Sequence, residues 1–174
     1  MIPEIYSPSE DSFLLSETLK KEIKNTNIKF LEIGIGSGIQ LQTAKHLGIR
    51  EIFGADINPD AVKHCKSLGF DCIQSDLFQN VKGKYNLIVF NPPYLPLDKR
   101  EPKDSRLATT GGKKGSEIIN KFLKQAKKHL AKYGRIFLLT SSLTKAIDWQ
   151  DYNKKLLATK KIFFEELYVW ELTL

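Results

Sequence analysis

The chain has 174 residues, of which 41% are hydrophobic and 27% charged, a composition that suits one globular domain and excludes disordered and fibrous classes. No apolar run reaches the roughly 18 residues of a membrane span, and MIPEIYSPSED lacks a basic-then-apolar signal pattern. The expected setting is therefore cytoplasmic, with no membrane partner. The net charge of +7 gathers around Lys113, Lys114, Lys121, Lys124, Lys127, Lys128 and Lys132. A solvated helix face accounts for these lysines more simply than an RNA-facing surface does.

Ser7-Pro8-Ser9-Glu10 predicts a helix start with Ser7 as N-cap and Glu10 closing a capping box, the helix covering about residues 8–24. A strand at Ile28–Ile33, a glycine turn and a helix over Ile39–Leu47 follow. Then come a strand at Glu51–Asp56, a helix opened by Asn58-Pro59 and a short strand at Phe70–Gln74. Tyr85–Phe90 reads as a strand buried on both faces of a parallel sheet. Ile118, Ile119, Phe122, Leu123, Ala126 and Leu130 mark the clearest amphipathic helix, and Arg135–Thr140 is another buried strand. Beyond Ser141 the pattern predicts a short helix around Leu143–Trp149 and two strands ending in Leu167–Thr173. No Gly or Asn-Gly marks the turn between those two strands. Alternating strands and helices predict a doubly wound α/β sheet whose ligands lie beyond the carboxyl ends of the strands.

The residues with chemical meaning fall at those ends. LEIGIGSG places Glu32 before Gly34, Gly36 and Gly38, with Ile39 where a dinucleotide fingerprint needs glycine. An acid so close to the turn disfavours a pyrophosphate and suits a ligand carrying an ammonium group. Asp56, followed by Ile57, ends the second strand, where a carboxylate accepts from ribose hydroxyls. Asp76-Leu77 follows the third strand and offers a carboxylate and a backbone N–H to adenine. Ammonium, ribose and adenine without phosphates describe S-adenosylmethionine. Cys65 and Cys72 match no zinc spacing, and His46, His64 and His129 are scattered, so no metal is expected.

FNPPYLP ends the fourth strand. The side-chain oxygen of Asn91 and the carbonyl of Pro92 can each accept a hydrogen bond, and Pro92 and Pro93 stiffen the turn. Two acceptors in a fixed fork match a planar –NH2 group, and the ring of Tyr94 can lie over that group and near a sulfonium. Such a nitrogen is conjugated and a poor nucleophile; in an amide the conjugation appears as a rotation barrier of ~18–20 kcal/mol. With the donor already activated, the protein's task is alignment, worth roughly 7–11 kcal/mol. Adenine, cytosine and glutamine all carry such a nitrogen, and the tetrapeptide does not separate them.

PSEDSFLL, LEIGIGSG, ADINPDA, SDLF, NPPY and TTGGKKGSEIINKFL, in this order, resemble the HemK/PrmC-type glutamine N5-methyltransferases, especially their short archaeal and eukaryotic branch. The resemblance implies a single methyltransferase domain over residues 1–174, built on a Rossmann-like, mostly parallel seven-stranded sheet with an antiparallel C-terminal strand. It implies S-adenosylmethionine as methyl donor and the GGQ glutamine of a class I translation termination (release) factor as acceptor. Ser12 would contact the donor, Glu32 and Gly34 line its methionine end, Asp56 bind ribose, and Asp76 and Leu77 bind adenine. Asn91 and Pro92 would hold the substrate amide. Many members of the branch pair with a small zinc-binding activator that adds its strand to a sheet edge.

Two departures bear on substrate docking. Thr109-Thr110 stands where the branch usually has a tryptophan before the GG pair, and no counterpart of the bacterial helical substrate domain is expected. The loop over Leu95–Thr110 is a candidate lid. Amino-methylation of a nucleobase in RNA or DNA is the competing reading, and it asks for more binding surface than this chain offers. Lysine methylation and a non-catalytic scaffold are weaker readings.

Overall fold

A computed structural model describes residues 5–97 and 109–174. Strands β1 (Lys29–Ile33), β2 (Glu51–Asp56), β3 (Asp71–Gln74), β4 (Tyr85–Phe90), β5 (Leu130–Ser141), β6 (Asn153–Ile162) and β7 (Glu165–Thr173) form one sheet in the order β3-β2-β1-β4-β5-β7-β6. The first five are parallel, while β7 runs antiparallel to both β5 and β6. The strand order reverses between β1 and β4, so a crevice opens beyond their carboxyl ends. The doubly wound, mostly parallel sheet predicted from the apolar pattern is the sheet observed.

Alternate residues of the central strands feed two separate cores. Phe30, Leu87, Val89, Phe137 and Leu139 face one layer, packed under α1 (Glu10–Glu22), α2 (Ile39–His46) and α3 (Pro59–Ser67). Leu31, Ile33, Ile88, Phe90, Ile136 and Leu138 face the other, under α4 (Glu117–Ala126). Because both faces of β4 are covered, Leu87, Ile88 and Val89 have no exposed surface, which is why the strand reads as a continuous apolar run.

Three local expectations change. The N-cap of α1 is Ser9 instead of Ser7, and its hydroxyl turns to Asp11 (2.8 Å) instead of capping a backbone N–H. The segment around 143–149 is not helical. The Ser116 hydroxyl donates to the carbonyls of Lys145 and Ala146, the Asn120 side chain also donates to Ala146, and Ala146 and Gln150 adopt positive φ. These tertiary bonds take backbone groups that a helix would need. The amphipathic helix expected to reach Leu130 ends at Ala126, passes through a 3-10 turn at Lys127–His129, and gives way to β5. Residues 98–108 of the lid candidate lie outside the described residues. Among the described residues, no helix is long and apolar enough to cross a membrane.

The Phe122 side chain is fully buried, with ring centroids 4.6 Å from Phe90 and 5.4 Å from Phe78. Phe122→Ala is expected to cost about 3–5 kcal/mol. A urea titration would show this as a lowered midpoint at unchanged slope.

Candidate active site

The carboxyl ends of β1 to β4 surround a pocket of about 240 Å³ whose wall includes Glu32, Asp56, Asp76 and Asn91. It also includes Tyr6, which the sequence pattern did not single out, and Lys121, which it placed only among the lysines of a solvated helix face. Register explains the gathering. Ile33 pairs with Ala55 on one side and Phe90 on the other, so the residues after these strands emerge on one edge.

Glu32 is 2% exposed, and its Oε2 has no hydrogen-bond partner. The backbone N–H of Leu41, in the first turn of α2, donates to the carboxylate, but burial and the nearby Asp56 charge push its pKa well above 4.5. Gln40 lines the same pocket; its Nε2 donates to the Ser12 carbonyl (2.9 Å), while its Oε1 is buried without a partner. Two unpartnered acceptors beside the glycine turn form a site that lacks a donor. A ligand ammonium, with three N–H groups and a positive charge, fits it.

Asp56 accepts from the Gly36 N–H (2.9 Å) and the Asn58 N–H (2.8 Å), one on each oxygen, which leaves each oxygen a further lone pair for a hydroxyl. Its pKa is raised by burial, with those N–H groups opposing the rise. Ile57 stands half exposed at the pocket lip. Asp76 accepts from Lys121 at 2.6 Å, so one carboxylate oxygen is already engaged and the other remains for an amino group. Leu77 follows at positive φ, a turn held by the Ser75 hydroxyl donating to the Leu77 carbonyl at 2.8 Å.

Asn91 donates through Nδ2 to Asp11 (3.1 Å), and its Oδ1 is buried with no partner. An ionised carboxylate only accepts, so the amide must turn its NH2 toward Asp11 and its oxygen away. Asp11 is held in turn by the Tyr6 hydroxyl (3.0 and 3.1 Å) and the Ser12 backbone N–H (2.6 Å). Burial is the main cause that raises the Tyr6 phenol to about 12, so it stays a donor. Ser12 itself is turned to Asp11, and its carbonyl serves Gln40.

Pro92 is buried, and Pro93 joins the pocket wall. Tyr94 does not line the pocket. Its ring packs against both cores, and burial, with the Asp11 charge next, pushes its phenol pKa up. The segment after it is braced by the glycine loop. A Cβ on Gly111 would sit 2.5 Å from the Pro93 carbonyl oxygen, and one on Gly115 would sit 2.3 Å from that of Tyr94. Only glycine allows this approach, and Gly115 also has φ +82°. Thr109-Thr110, in place of the expected tryptophan, pairs along Leu95, whose N–H donates to the Thr109 carbonyl at 2.9 Å.

Asp11 escaped the sequence reading because an acid in a helix's first turn ordinarily faces solvent and complements the helix dipole. Tyr6 and Gln40 have no local signature.

Residues 9–150 match the methyltransferase small domain family. A Methanocaldococcus jannaschii protein named "Putative protein N5-glutamine methyltransferase" is 40% identical over 96% of this chain and 90% of its own length. Methyltransferase HEMK2 of Mus musculus is 32% identical over 79% of this chain and 72% of its own. The release factor glutamine methyltransferase of Lactococcus lactis is 28% identical over 75% of this chain, which spans 54% of that longer protein. Among solved structures, a ribosomal protein L11 methylase from Lactobacillus delbrueckii superposes with a TM-score of 0.66 at 15% identity, covering 95% of this chain and 79% of its own. That likeness is one of fold.

Glu32→Gln removes a carboxylate whose folded-state pKa exceeds its unfolded one. Such a group favours the native state below about 4.5, and that contribution is lost as pH rises through the raised value. At neutral pH, therefore, the unliganded variant is expected to melt higher than the wild type. Its affinity for S-adenosylmethionine should fall by about tenfold or more, since a hydrogen bond to a charged group is worth about 1.5–3 kcal/mol. Calorimetric titration beside thermal melts checks both signs. Asp11→Ala frees the Asn91 amide to rotate. Methyl transfer at saturating donor should drop by up to about a hundredfold in single-turnover assays, with a much smaller change in donor affinity.

Proposed function

The chain belongs to the HemK/PrmC-type glutamine methyltransferases of the methyltransferase small domain family, and from that premise we propose that it methylates the side-chain amide of the GGQ glutamine in a class I translation release factor, using S-adenosylmethionine. The observation that carries this reading is the Asn91 Oδ1, buried, unpartnered and aimed by the Asp11 carboxylate behind it. The longer Lactococcus relative, named a release factor glutamine methyltransferase, supports the acceptor.

S-adenosylmethionine supplies an electrophilic methyl group on a sulfonium centre. Glu32 and Gln40 would hold its ammonium, Asp56 would accept from its ribose hydroxyls, and Asp76 and Leu77 would receive its adenine. Gly34 and Gly36 would let the backbone turn close beneath it, with Ser12 and Ile57 completing the walls, while Gly38, outside the pocket lining, packs the turn against Cys65. Asn91 Oδ1 and the Pro92 carbonyl would accept the two N–H bonds of the glutamine amide and turn the face of its nitrogen toward the methyl; as the N–C bond forms the S–C bond breaks, leaving a neutral thioether, and one amide proton is released to solvent. Pro93 and the glycine loop beneath it keep that fork from relaxing. Tyr94, packed against both cores beside Asp11, stiffens the same turn from outside the pocket. Catalysis then comes chiefly from alignment and from desolvating a weak nucleophile. A small zinc-binding activator that pairs with an edge of the sheet belongs to the same reading.

Labelled S-adenosylmethionine is offered to release factor, to factor with the GGQ glutamine replaced, and to RNA and DNA, with and without the activator. Label is expected on the intact factor alone, and label on nucleic acid instead would overturn the assignment. Asn91→Ala should lower transfer by at least about a hundredfold while donor affinity stays nearly unchanged. A full rate in that variant would refute the two-acceptor fork.

A further inference from the structure

We propose that the tip of the β6–β7 hairpin, Phe163-Phe164, is the docking contact for the protein substrate and grips an apolar patch on the factor beside its glutamine loop. The inference rests on the function proposed above and adds to it where the substrate is held.

Position is the first argument. Because β7 runs antiparallel to β5, with Leu167 opposite Ser141, the tip projects from the carboxyl edge of the sheet, the edge that carries Asn91. It hangs on parts of the same network. Glu165 accepts from the Ser141 hydroxyl at 2.5 Å, at the end of β5, whose Phe137 and Leu138 pair with Val89 and Phe90 of β4. Lys160 is ion-paired with Glu10, next to Asp11 in the first turn of α1. The base of the tip is thus tied to the end of β5 and to the first turn of α1, the helix that carries Asp11.

Composition is the second. Ile162 pairs with Glu165, so Phe163 and Phe164 form the whole two-residue turn. Phe163 has φ +42°, in the left-handed region where such turns ordinarily carry Gly or Asn. Their exposures of 106% and 85% mean that neither ring contributes to the core. Folding therefore gains nothing from these two rings and bears the strain of one. An exposed aromatic pair on a well-registered hairpin is the composition of a contact surface.

Charge selects the partner. Although the chain carries +7, the charges around the tip balance: Lys160 is ion-paired with Glu10, and Lys161 stands opposite Glu166 in register, with Glu165 alongside. A polyanion contact needs cations free to displace counterions. An apolar tip in a balanced charge setting fits a protein face.

The test compares wild type with F163A/F164A and F163L/F164L on intact release factor. The alanine pair is expected to raise KM for the factor by about tenfold or more, about 1.4 kcal/mol, with kcat, donor affinity and melting temperature unchanged. The leucine pair should recover most of the loss. An unchanged KM overturns the docking role, as does a fall in kcat alone. Loss of RNA binding with intact factor kinetics overturns the choice of partner. No transfer by wild type defeats the substrate reading itself, and this inference with it, an outcome distinct from active wild type with an indifferent tip.

Discussion

The hydrogen bond between Asn91 and Asp11, joining groups 80 residues apart, is the contact on which the site depends. A carboxamide has a donating end and an accepting end, and a turn of half a revolution exchanges them. With a carboxylate behind it, only one orientation satisfies both groups, and it leaves Oδ1 buried and open. Asp11 can serve only because α1 is docked: Leu15 and Leu19 are fully buried, and Ser16 meets Thr43 of α2 at 2.7 Å. Hydrophobic packing of the first helix is thereby converted into the orientation of one amide at the end of β4.

The turn that carries this amide is held from below. The prolines restrict the backbone from within, while Gly111 and Gly115 let a second segment press against the Pro93 and Tyr94 carbonyls. Rigid residues in one strand of chain and permissive ones in the other make a single unit, which accounts for NPPY and GGKKG behaving as one structural element. The Thr144 hydroxyl adds a lateral tie by donating to the Tyr94 carbonyl at 2.9 Å.

The other half of the pocket is organised by electrostatic frustration. Glu32 and Asp56 are neighbouring buried acids, each raised by desolvation, and Glu32 retains an oxygen with nothing to receive. Such desolvated, unmatched acids weaken the fold. At the exposed rim Asp76 is instead met by Lys121, so positive charge from the protein itself is spent there and kept away from the glycine turn. The pocket is acidic at the glycine turn and neutralised at the Asp76 rim.

Much of this was legible in order along the chain. Apolar runs located β1, β2 and β4, Asn58-Pro59 located the start of α3, where Asn58 caps the Asp60 N–H at 2.9 Å, and acids at strand ends located the pocket. These signals are local, because periodicity, proline geometry and capping each act within a few residues. What failed was also consistent in kind. Ser9 took the N-cap position from Ser7 with its hydroxyl engaged by Asp11 instead of a backbone N–H; the 143–149 helix yielded to the side chains of Ser116 and Asn120; and the hairpin turned on two phenylalanines without a glycine. The sequence by itself determined the alternation of strands and helices that makes a doubly wound sheet and the identity of the groups at its carboxyl edge. Tertiary structure alone decided which way the Asn91 amide faces, which oxygens stay unpartnered and where Tyr94 points. Those outcomes depend on partners far along the chain, brought within hydrogen-bond range only when the helices pack.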